Sequence, residues 1–384
     1  MDLRDTPEEA AFRAEVRDWI EANLPQELVG QGRIRTQMEE PWREWSRKLS
    51  DAGYAGLTWP REYGGAGAPY SHQAIFYEEM ARAEAPPHIG VIGLGMAGPT
   101  IIAHGTEAQK ARYLAKILSA EEIWCQGFSE PDAGSDLAAV KTTATLNAAG
   151  DAFVVNGQKV WSSYAHIADW CLLVTRSDPE APRYQNLTYL LVDMHSPGIE
   201  VRPLREITGE ALFNEVFLDE VFVPDDCVVA EPGDGWRLAR TTLANERVAM
   251  AGTRLSKSAE RAVEIAASRE LGPVERARIG HAVALATVCS LLGTRTTLRA
   301  IDGAGPGAES SVAKLLGVRS RQDAAELVVE LQGDAAATIG DLAREGDVEA
   351  DVWEMLNTRC LSIAGGTTQI LRNVAGERIL GLPR

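Results

Sequence analysis

The sequence has few cysteines, little positive charge and no obvious export signal. Its five cysteines are scattered without a C-x-x-C pair, which disfavours a zinc site or a disulfide scaffold and predicts reduced thiols in a cytoplasmic protein with no bound metal. The formal net charge of −17 disfavours nucleic acid, which needs clustered lysine and arginine. No apolar run approaches the roughly 20 residues that span a membrane, and the opening MDLRD lacks the basic and apolar regions of a secretory signal.

The hydrophobic pattern divides the 384 residues into three parts. Apolar residues first recur at helical spacing, with capping boxes that begin at Thr6 and Thr106. The period then changes to two, in short strands separated by turn residues, and finally returns to the helical value. We therefore expect an α+β protein with an N-terminal α-helical domain (1–121), a central antiparallel β domain or barrel (122–231) and a C-terminal helical bundle (232–384).

Two short signals refine this outline. The dipeptide Asn156-Gly157 stands between alternating apolar residues and predicts a hairpin turn. A literal G-x-G-x-x-G occurs at residues 93–98. It lacks the preceding strand and the βαβ context of a dinucleotide-binding loop. We therefore expect a helical segment there and no dinucleotide site.

A loop rich in turn residues, within 124–141, is the first stretch that could carry chemistry. Pro131 and Gly134 keep it out of regular structure, so its backbone N–H groups are available to a ligand. The acids Glu130, Asp132 and Asp136 are read as turn and capping groups. An ordinary helix-to-strand turn would have the same composition, and both interpretations remain open on these residues alone.

Two further stretches have a similar ambiguity. Residues 159–163 end a strand with Trp161 and two hydroxyls, although a tryptophan is more often a core residue than a cofactor contact. Residues 364–370 place two glycines before a helix. The free N–H groups of such a helix N-terminus suit a phosphate or a developing oxyanion. A plain helix break with a cap explains the same residues.

Together these stretches resemble the flavin-dependent acyl-CoA dehydrogenases, and the similarity covers nearly the whole chain. Residues 128–136 resemble the first signature loop of that family, 161–163 its flavin-flanking strand and 364–370 its C-terminal signature. Residues 56–67 are similar to its N-terminal glycine-rich loop, and the ending 377–382 is typical of it. The resemblance implies an N-terminal helical domain, a central β domain and a C-terminal four-helix bundle. It also implies FAD between the β domain and the bundles, in a tetramer.

The resemblance implies a function as well. An acyl-CoA thioester would lose a proton from Cα and a hydride from Cβ, the hydride going to flavin N5, to give the trans-2-enoyl-CoA in lipid β-oxidation. The expected electron acceptor is an electron-transfer flavoprotein. The positions implied to contact FAD are Phe128, Ser129, Trp161, Ser162, Ser163, Thr367 and Gln369. The positions implied to contact the acyl-CoA substrate are Ser135, Arg247 and Gly365.

The catalytic base is the main departure from the family. In many members a glutamate directly precedes the Gly-Thr of the C-terminal signature, where this chain has Gly365. Other members carry the base on the first long helix of the bundle, as a glutamate followed by arginine, and this chain has Glu246-Arg247 there. Leu243 and Met250 place Glu246 on an apolar face. A partly buried ion pair would look the same on that helix alone, but the glycine at 365 favours Glu246 as the base.

Two motifs that bind FAD across subunits in the family are altered here. Residues 267–273 lack the phenylalanine of R-x-x-F-G, and residues 330–334 end in Asp334 where the family has Q-x-x-G-G. A second hypothesis therefore stays open: the chain is one of two different subunits of a heterotetramer instead of a homotetramer. A third hypothesis is a flavin-dependent acyl-CoA oxidase of the same fold.

Overall fold

The computed structural model describes residues 4–30, 38–249, 256–301, 307–338 and 346–383, and the side chains of residues 246–249 and 296–301 lie outside that description. The chain forms two compact units. The first contains Met1–Leu204 and Ala211–Glu246, and the second contains Arg205–Glu210 and Arg247–Arg384. The domain boundaries expected at 121/122 and 231/232 remain predictions.

The first unit begins with helices packed around two tryptophans. Trp42 and Trp45 are buried, and each indole N–H donates to a backbone oxygen of the Pro86-Pro87 segment. Both predicted capping boxes are confirmed, because Thr6 and Thr106 each exchange hydrogen bonds with the residue three positions on. The helices are α1 (Pro7–Asn23), α2 (Glu39–Asp51), α3 (Tyr70–Arg82), α4 (Gly98–His104) and α5 (Glu107–Leu118).

The glycine-rich run at residues 93–98 is helical, as expected. Gly93–Ala97 forms one π-helical turn that continues into α4. A β-carbon on Gly98 would lie 2.0 Å from the ring of Trp59. This glycine therefore allows close packing between a helix and an aromatic ring.

The middle of the first unit is a seven-stranded sheet in the order β1-β4-β2-β3-β7-β6, with β5 also paired to β4. Its strands are β1 (Trp124–Gly127), β2 (Thr143–Leu146), β3 (Ala152–Ser163), β4 (Trp170–Arg176), β5 (Leu187–Asp193), β6 (Ile199–Leu204) and β7 (Phe213–Pro224). The expectation of a purely antiparallel sheet is wrong, because β4 pairs in parallel with β1 and with β2. Alternation of apolar residues reports which face is buried, and it carries no information on the direction of the neighbouring strand.

The predicted hairpin at Asn156-Gly157 is also wrong. Strand β3 runs straight through this dipeptide, with a register shift against β7. The Asn156 side chain accepts a hydrogen bond from the backbone N–H of Glu220 at 2.9 Å, and a β-carbon on Gly157 would lie 2.4 Å from Thr142 Oγ1. The dipeptide is therefore a bulge that the segment leading into β2 approaches closely. Tertiary contacts override the local turn preference.

Helix α6 (Gly235–Ala249) follows the sheet. The second unit then contains α7 (Lys257–Ser268), α8 (Pro273–Ile301), α9 (Glu309–Gln332), α10 (Asp334–Ala337), α11 (Asp347–Asn357) and α12 (Thr368–Arg378). Its buried core joins α7, α8 and α9 through small and branched side chains such as Ala259, Ala286 and Leu327. The expected helical character of the C-terminal part is confirmed.

Within α8, residues Pro273–Arg295 are long and apolar enough to cross a membrane by length and composition, with a mean hydropathy of 1.3. The expectation that no apolar run approaches this length is therefore corrected. The sequence-based expectation missed this stretch because charged residues such as Glu275 and Arg276 stand at the start of the helix, before the apolar residues. The core helix of a soluble protein passes the same test but is mostly buried, whereas 22% of this window is buried, where α8 packs on α7 and α9.

Candidate active site

Strand β1 ends at Gly127, and the turn-rich loop begins at the next residue, Phe128. Phe128 is buried, with its ring edge-to-face against Tyr189 at 5.9 Å, and Ser129 is half-buried. Glu130 and Ala133 exchange two backbone hydrogen bonds, which close the turn around Pro131. The loop is therefore an ordered structure between two strands.

A buried ion pair lies beneath this loop. Lys159 of β3 is 0% exposed, and its Nζ lies 2.8 Å from Glu130 Oε1 and 3.2 Å from the Phe128 carbonyl oxygen. The Glu130 carboxylate also accepts from the backbone N–H groups of Lys141 and Thr142, at 2.6 and 2.9 Å. Every strong partner of the lysine is thus an oxygen of the loop, and the carboxylate joins both ends of the loop.

The two charges of this pair stabilise each other. Burial acts to raise the pKa of Glu130, but the charge of Lys159 and the hydrogen bonds to the carboxylate outweigh it and hold the pKa below its usual range. Burial lowers the pKa of Lys159, and Glu130 opposes that effect. The pair therefore lies in a place from which water is excluded, where each charge depends on its partner for stabilisation.

Trp161 is an unusual residue at the end of β3. It is 60% exposed and has a φ of 63°, a conformation uncommon for any residue other than glycine. It lies in a register shift between Lys159 and Ser162, with Phe213 edge-to-face at 6.1 Å. The composition-based interpretation of this tryptophan as a core residue is therefore wrong. Its large flat face is available to a ligand.

The neighbouring hydroxyls differ in their surroundings. Ser162 is fully buried, and its Oγ has no hydrogen-bond partner among the residues that the structure describes. Ser163 is half-buried. On the loop, Ser135 is exposed, and the next residue, Asp136, forms an ion pair with Arg183. The exposed face of Trp161 fits a flat heterocyclic cofactor such as a flavin, whereas the predicted contact at Ser162 has a fully buried Oγ that no ligand reaches in this conformation.

The C-terminal signature belongs to the second unit. Gly365 and Gly366 both have a positive φ, of 63° and 101°, and end the helical turn before α12. Thr367 is the N-cap of α12 and accepts from the Ile370 N–H at 3.2 Å, whereas Gln369 is exposed. Glycine adopts this geometry more readily than other residues do.

Lys314 of α9 binds backbone carbonyl oxygens of the same segment. Its Nζ donates to the Gly366 oxygen at 2.6 Å and also to the Ala364 oxygen. No group in the described part of the chain accepts a hydrogen bond from the Gly365 N–H. Lys314 thus holds the carbonyl oxygens on both sides of Gly365, and the Gly365 N–H between them is available as a donor to a ligand.

Glu246 and Arg247 are both in α6, but their side chains lie outside the described residues. The helix itself is well anchored one turn earlier. Thr242 is buried, and its hydroxyl lies 2.9 Å from both Thr100 Oγ1 of α4 and Tyr189 Oη of β5. The backbone that carries the predicted base is therefore tied to the helices and to the sheet of the first unit.

Neither Lys159 nor Lys314 has a role in the sequence-based prediction, although both contact predicted site segments. A signal for Lys159 is present in the sequence. It occupies an inward position of β3, two residues after Gly157 and four after the buried Val155, where a charge is costly without a partner. No local pattern marks Lys314, because its partners are 50 and 52 residues away.

Three models of one protein family together match most of the chain. The matches are the Acyl-CoA dehydrogenase N-terminal domain over residues 6–121, the middle domain over 125–221 and the C-terminal domain over 233–380. The chain therefore belongs to the acyl-CoA dehydrogenases. It is an oxidoreductase that uses FAD, as members of this family do.

Named relatives agree with this assignment. The chain is 49% identical over 337 residues to the acyl-CoA dehydrogenase FadE34 of Mycobacterium tuberculosis, covering 88% of this chain and 46% of FadE34, so it spans about half the length of that relative. It is 40% identical to the acyl-CoA dehydrogenase IpdE1 of the same species, with 97% of each covered.

Solved structures agree with it as well. The Tcur3481-Tcur3483 steroid ACAD has a TM-score of 0.86 at 28% identity, and the ChsE4-ChsE5 complex from Mycobacterium tuberculosis has a TM-score of 0.86 at 29% identity. Each comparison covers 100% of both chains. The predicted fold class is thereby confirmed, with the mixed sheet as its correction.

Proposed function

We propose that the protein converts an acyl-CoA thioester to the trans-2-enoyl-CoA, with Glu246 as the base that removes the α-proton. The observation that carries this assignment is the glycine at position 365, which offers no carboxylate where many members of the family have one. A base must then come from elsewhere, and α6 carries Glu246 one turn after the anchored Thr242.

The remaining chemistry can be divided among groups of this chain. When bound, FAD supplies the acceptor for the hydride that leaves Cβ. The Gly365 N–H has no acceptor among the described residues, and a donor of this kind stabilises the negative charge that develops on the thioester oxygen. Phe128, Ser129, Trp161 and Ser163 would orient the flavin, with Thr367 and Gln369 as further contacts. Ser135 and Arg247 would hold the substrate.

The variant Glu246→Gln tests the base directly. Without a carboxylate, the α-proton remains in place, so flavin bleaching by acyl-CoA under anaerobic conditions should be abolished while FAD stays bound. Glu231→Gln, at an exposed position just before α6, is the matched control and should bleach at the normal rate. Normal bleaching by Glu246→Gln would show that the base is another residue.

A heterotetramer with a related subunit is the second candidate. Two features favour it: the altered motifs at 267–273 and 330–334, and the similarity to two-chain complexes. Glu330 already forms an ion pair with Arg278, and Arg269 donates to the Leu331 oxygen. These groups are thus engaged within the chain. Protein made alone should then contain well under one FAD per chain, whereas a yellow homotetramer with full FAD would contradict this candidate.

The substrate and the electron acceptor need separate measurements. Anaerobic bleaching against acyl-CoA esters that range from short-chain to steroid-derived would identify the acyl group. The names of the neighbouring structures make the steroid-derived esters the first choice. Reoxidation by an electron-transfer flavoprotein is expected. Rapid release of hydrogen peroxide without that partner would identify an oxidase instead.

A further inference from the structure

The bulge that exposes Trp161 is held by the loop that begins at Phe128. Between Lys159 and Ser162 the pairing with β7 shifts, and the Val160 N–H donates to the Ser129 carbonyl at 2.9 Å. The next residue is Trp161, in its left-handed conformation. A backbone that departs from its preferred region persists only where its surroundings determine it. Here those surroundings are the loop on one side and β7 on the other, where Asn214 Nδ2 donates to the Ser162 carbonyl at 3.1 Å.

Three consecutive loop residues contact two consecutive residues of β3. The carbonyls of Phe128 and Ser129 accept from Lys159 Nζ and from the Val160 N–H, and the Glu130 carboxylate accepts from the same lysine. These contacts connect the two segments of the first unit that the family resemblance assigns to FAD. If either segment shifts along the other, all of these hydrogen bonds are lost together.

We propose that Lys159 and Glu130 are positioning residues for the flavin, whose buried ion pair holds the Phe128–Ser129 segment against the bulge that presents Trp161. This proposal depends on FAD as the cofactor and on the proposed flavin contacts, and it is independent of the identity of the base. The pair is solvent-excluded, so it acts only through the segments that it joins.

A buried ion pair contributes little net stability to a fold. Its effect on stability can therefore be separated by mutation from its effect on FAD binding. Replacing both partners by neutral side chains of similar size is often neutral for a fold, whereas removing one partner leaves a buried charge unpaired. The double variant Lys159→Met/Glu130→Gln replaces both charged groups, so it leaves no unpaired charge in the interior. It also removes the donor that Lys159 supplies to the Phe128 carbonyl.

The experiment measures thermal unfolding and the rate of FAD release from the holoenzyme, made with its partner subunit if FAD retention requires one. Lys159→Met alone should both unfold at a lower temperature and release FAD faster. The double variant should recover most of the unfolding temperature and still release FAD about tenfold faster than the wild type, as expected for a lost hydrogen bond to a charged donor. Visible circular dichroism of the bound flavin should change in both variants.

Glu79→Gln is the matched control. Glu79 is a buried carboxylate of α3 in the same unit, paired with Arg17 and Arg82 at 2.9 and 2.7 Å. Its loss should lower the unfolding temperature with FAD release unchanged at temperatures where the variant is folded.

The proposal is overturned if FAD release from the double variant is within twofold of the wild type, or if Glu79→Gln accelerates release as much as the double variant does. A double variant that does not fold also contradicts it, because the pair would then serve the fold itself. FAD release is measured without substrate, so its outcome is separate from the Glu246 assignment. A wild-type protein that binds no FAD with or without a partner would instead contradict the proposed function.

Discussion

The two regions predicted to contact FAD are built in different ways. The loop at 128–142 and the end of β3 are joined by an ion pair from which water is excluded. The C-terminal signature at 364–370 is partly exposed, and it depends on two glycines, a threonine cap and a surface lysine. A desolvated charge is costly to disturb, while a cap or an exposed contact contributes little. We therefore expect mutations to have large effects in the first region and small ones in the second.

The largest expected effect follows from removing one charge of the buried pair. Lys159→Met leaves the Glu130 carboxylate buried without its cation, and such losses cost roughly 3–5 kcal/mol. Lys141→Met is the matched control, because Lys141 pairs with Asp132 at 2.8 Å but is 69% exposed; its free energy of unfolding should stay close to that of the wild type. Denaturant unfolding of both variants measures the difference. If the two variants lost the same free energy of unfolding, the buried pair would be no more important for stability than the exposed one.

An intermediate effect is expected at His88, a buried group of the same unit. Burial lowers its pKa from 6.5 to about 4, and its Nε2 lies 3.0 Å from the Leu118 carbonyl oxygen. Between these pH values the unfolded chain binds a proton that the folded protein does not. The stability contributed by neutral His88 is thus present above pH 6.5 and is lost as the pH falls toward 4, by roughly 3 kcal/mol in total.

The variant His88→Gln isolates this contribution. It keeps a donor and an acceptor but does not titrate, so its free energy of unfolding should fall less steeply than that of the wild type between pH 6.5 and 4.5. Denaturant unfolding at a series of pH values gives both slopes. Parallel slopes for the two proteins would show that His88 does not titrate in the way that its burial predicts.

The smallest expected effect concerns the cap of α12. Thr367→Ala removes the side-chain acceptor of the Ile370 N–H and should cost about 1 kcal/mol. Thr367→Ser retains the hydroxyl and serves as the control, with near-normal stability by thermal unfolding. If Thr367→Ala lost as much stability as Lys159→Met, the C-terminal signature would be as sensitive to mutation as the loop, contrary to this comparison.

Local signals predict local structure well in this chain. Thr6 with Glu9, and Thr106 with Gln109, begin helices as their spacing indicates. The same kind of signal fails at Asn156-Gly157, where a neighbouring strand and the Asn156 side chain turn a hairpin signal into a bulge. The parallel neighbours of β4 are not visible in any local pattern either, since they depend on how distant strands are connected.

The sequence alone determined the order of helices and strands, the family motifs and the glycine where many relatives have their base. All of these follow from residue spacing and residue type. The tertiary structure alone decided that Trp161 points to solvent, that β4 has parallel neighbours and that Lys159 lies beneath the loop. The partners that fix these features are remote in the chain; Lys159 and Glu130, for example, are 29 residues apart. Only folding brings such groups together and excludes the water that would otherwise weaken their attraction.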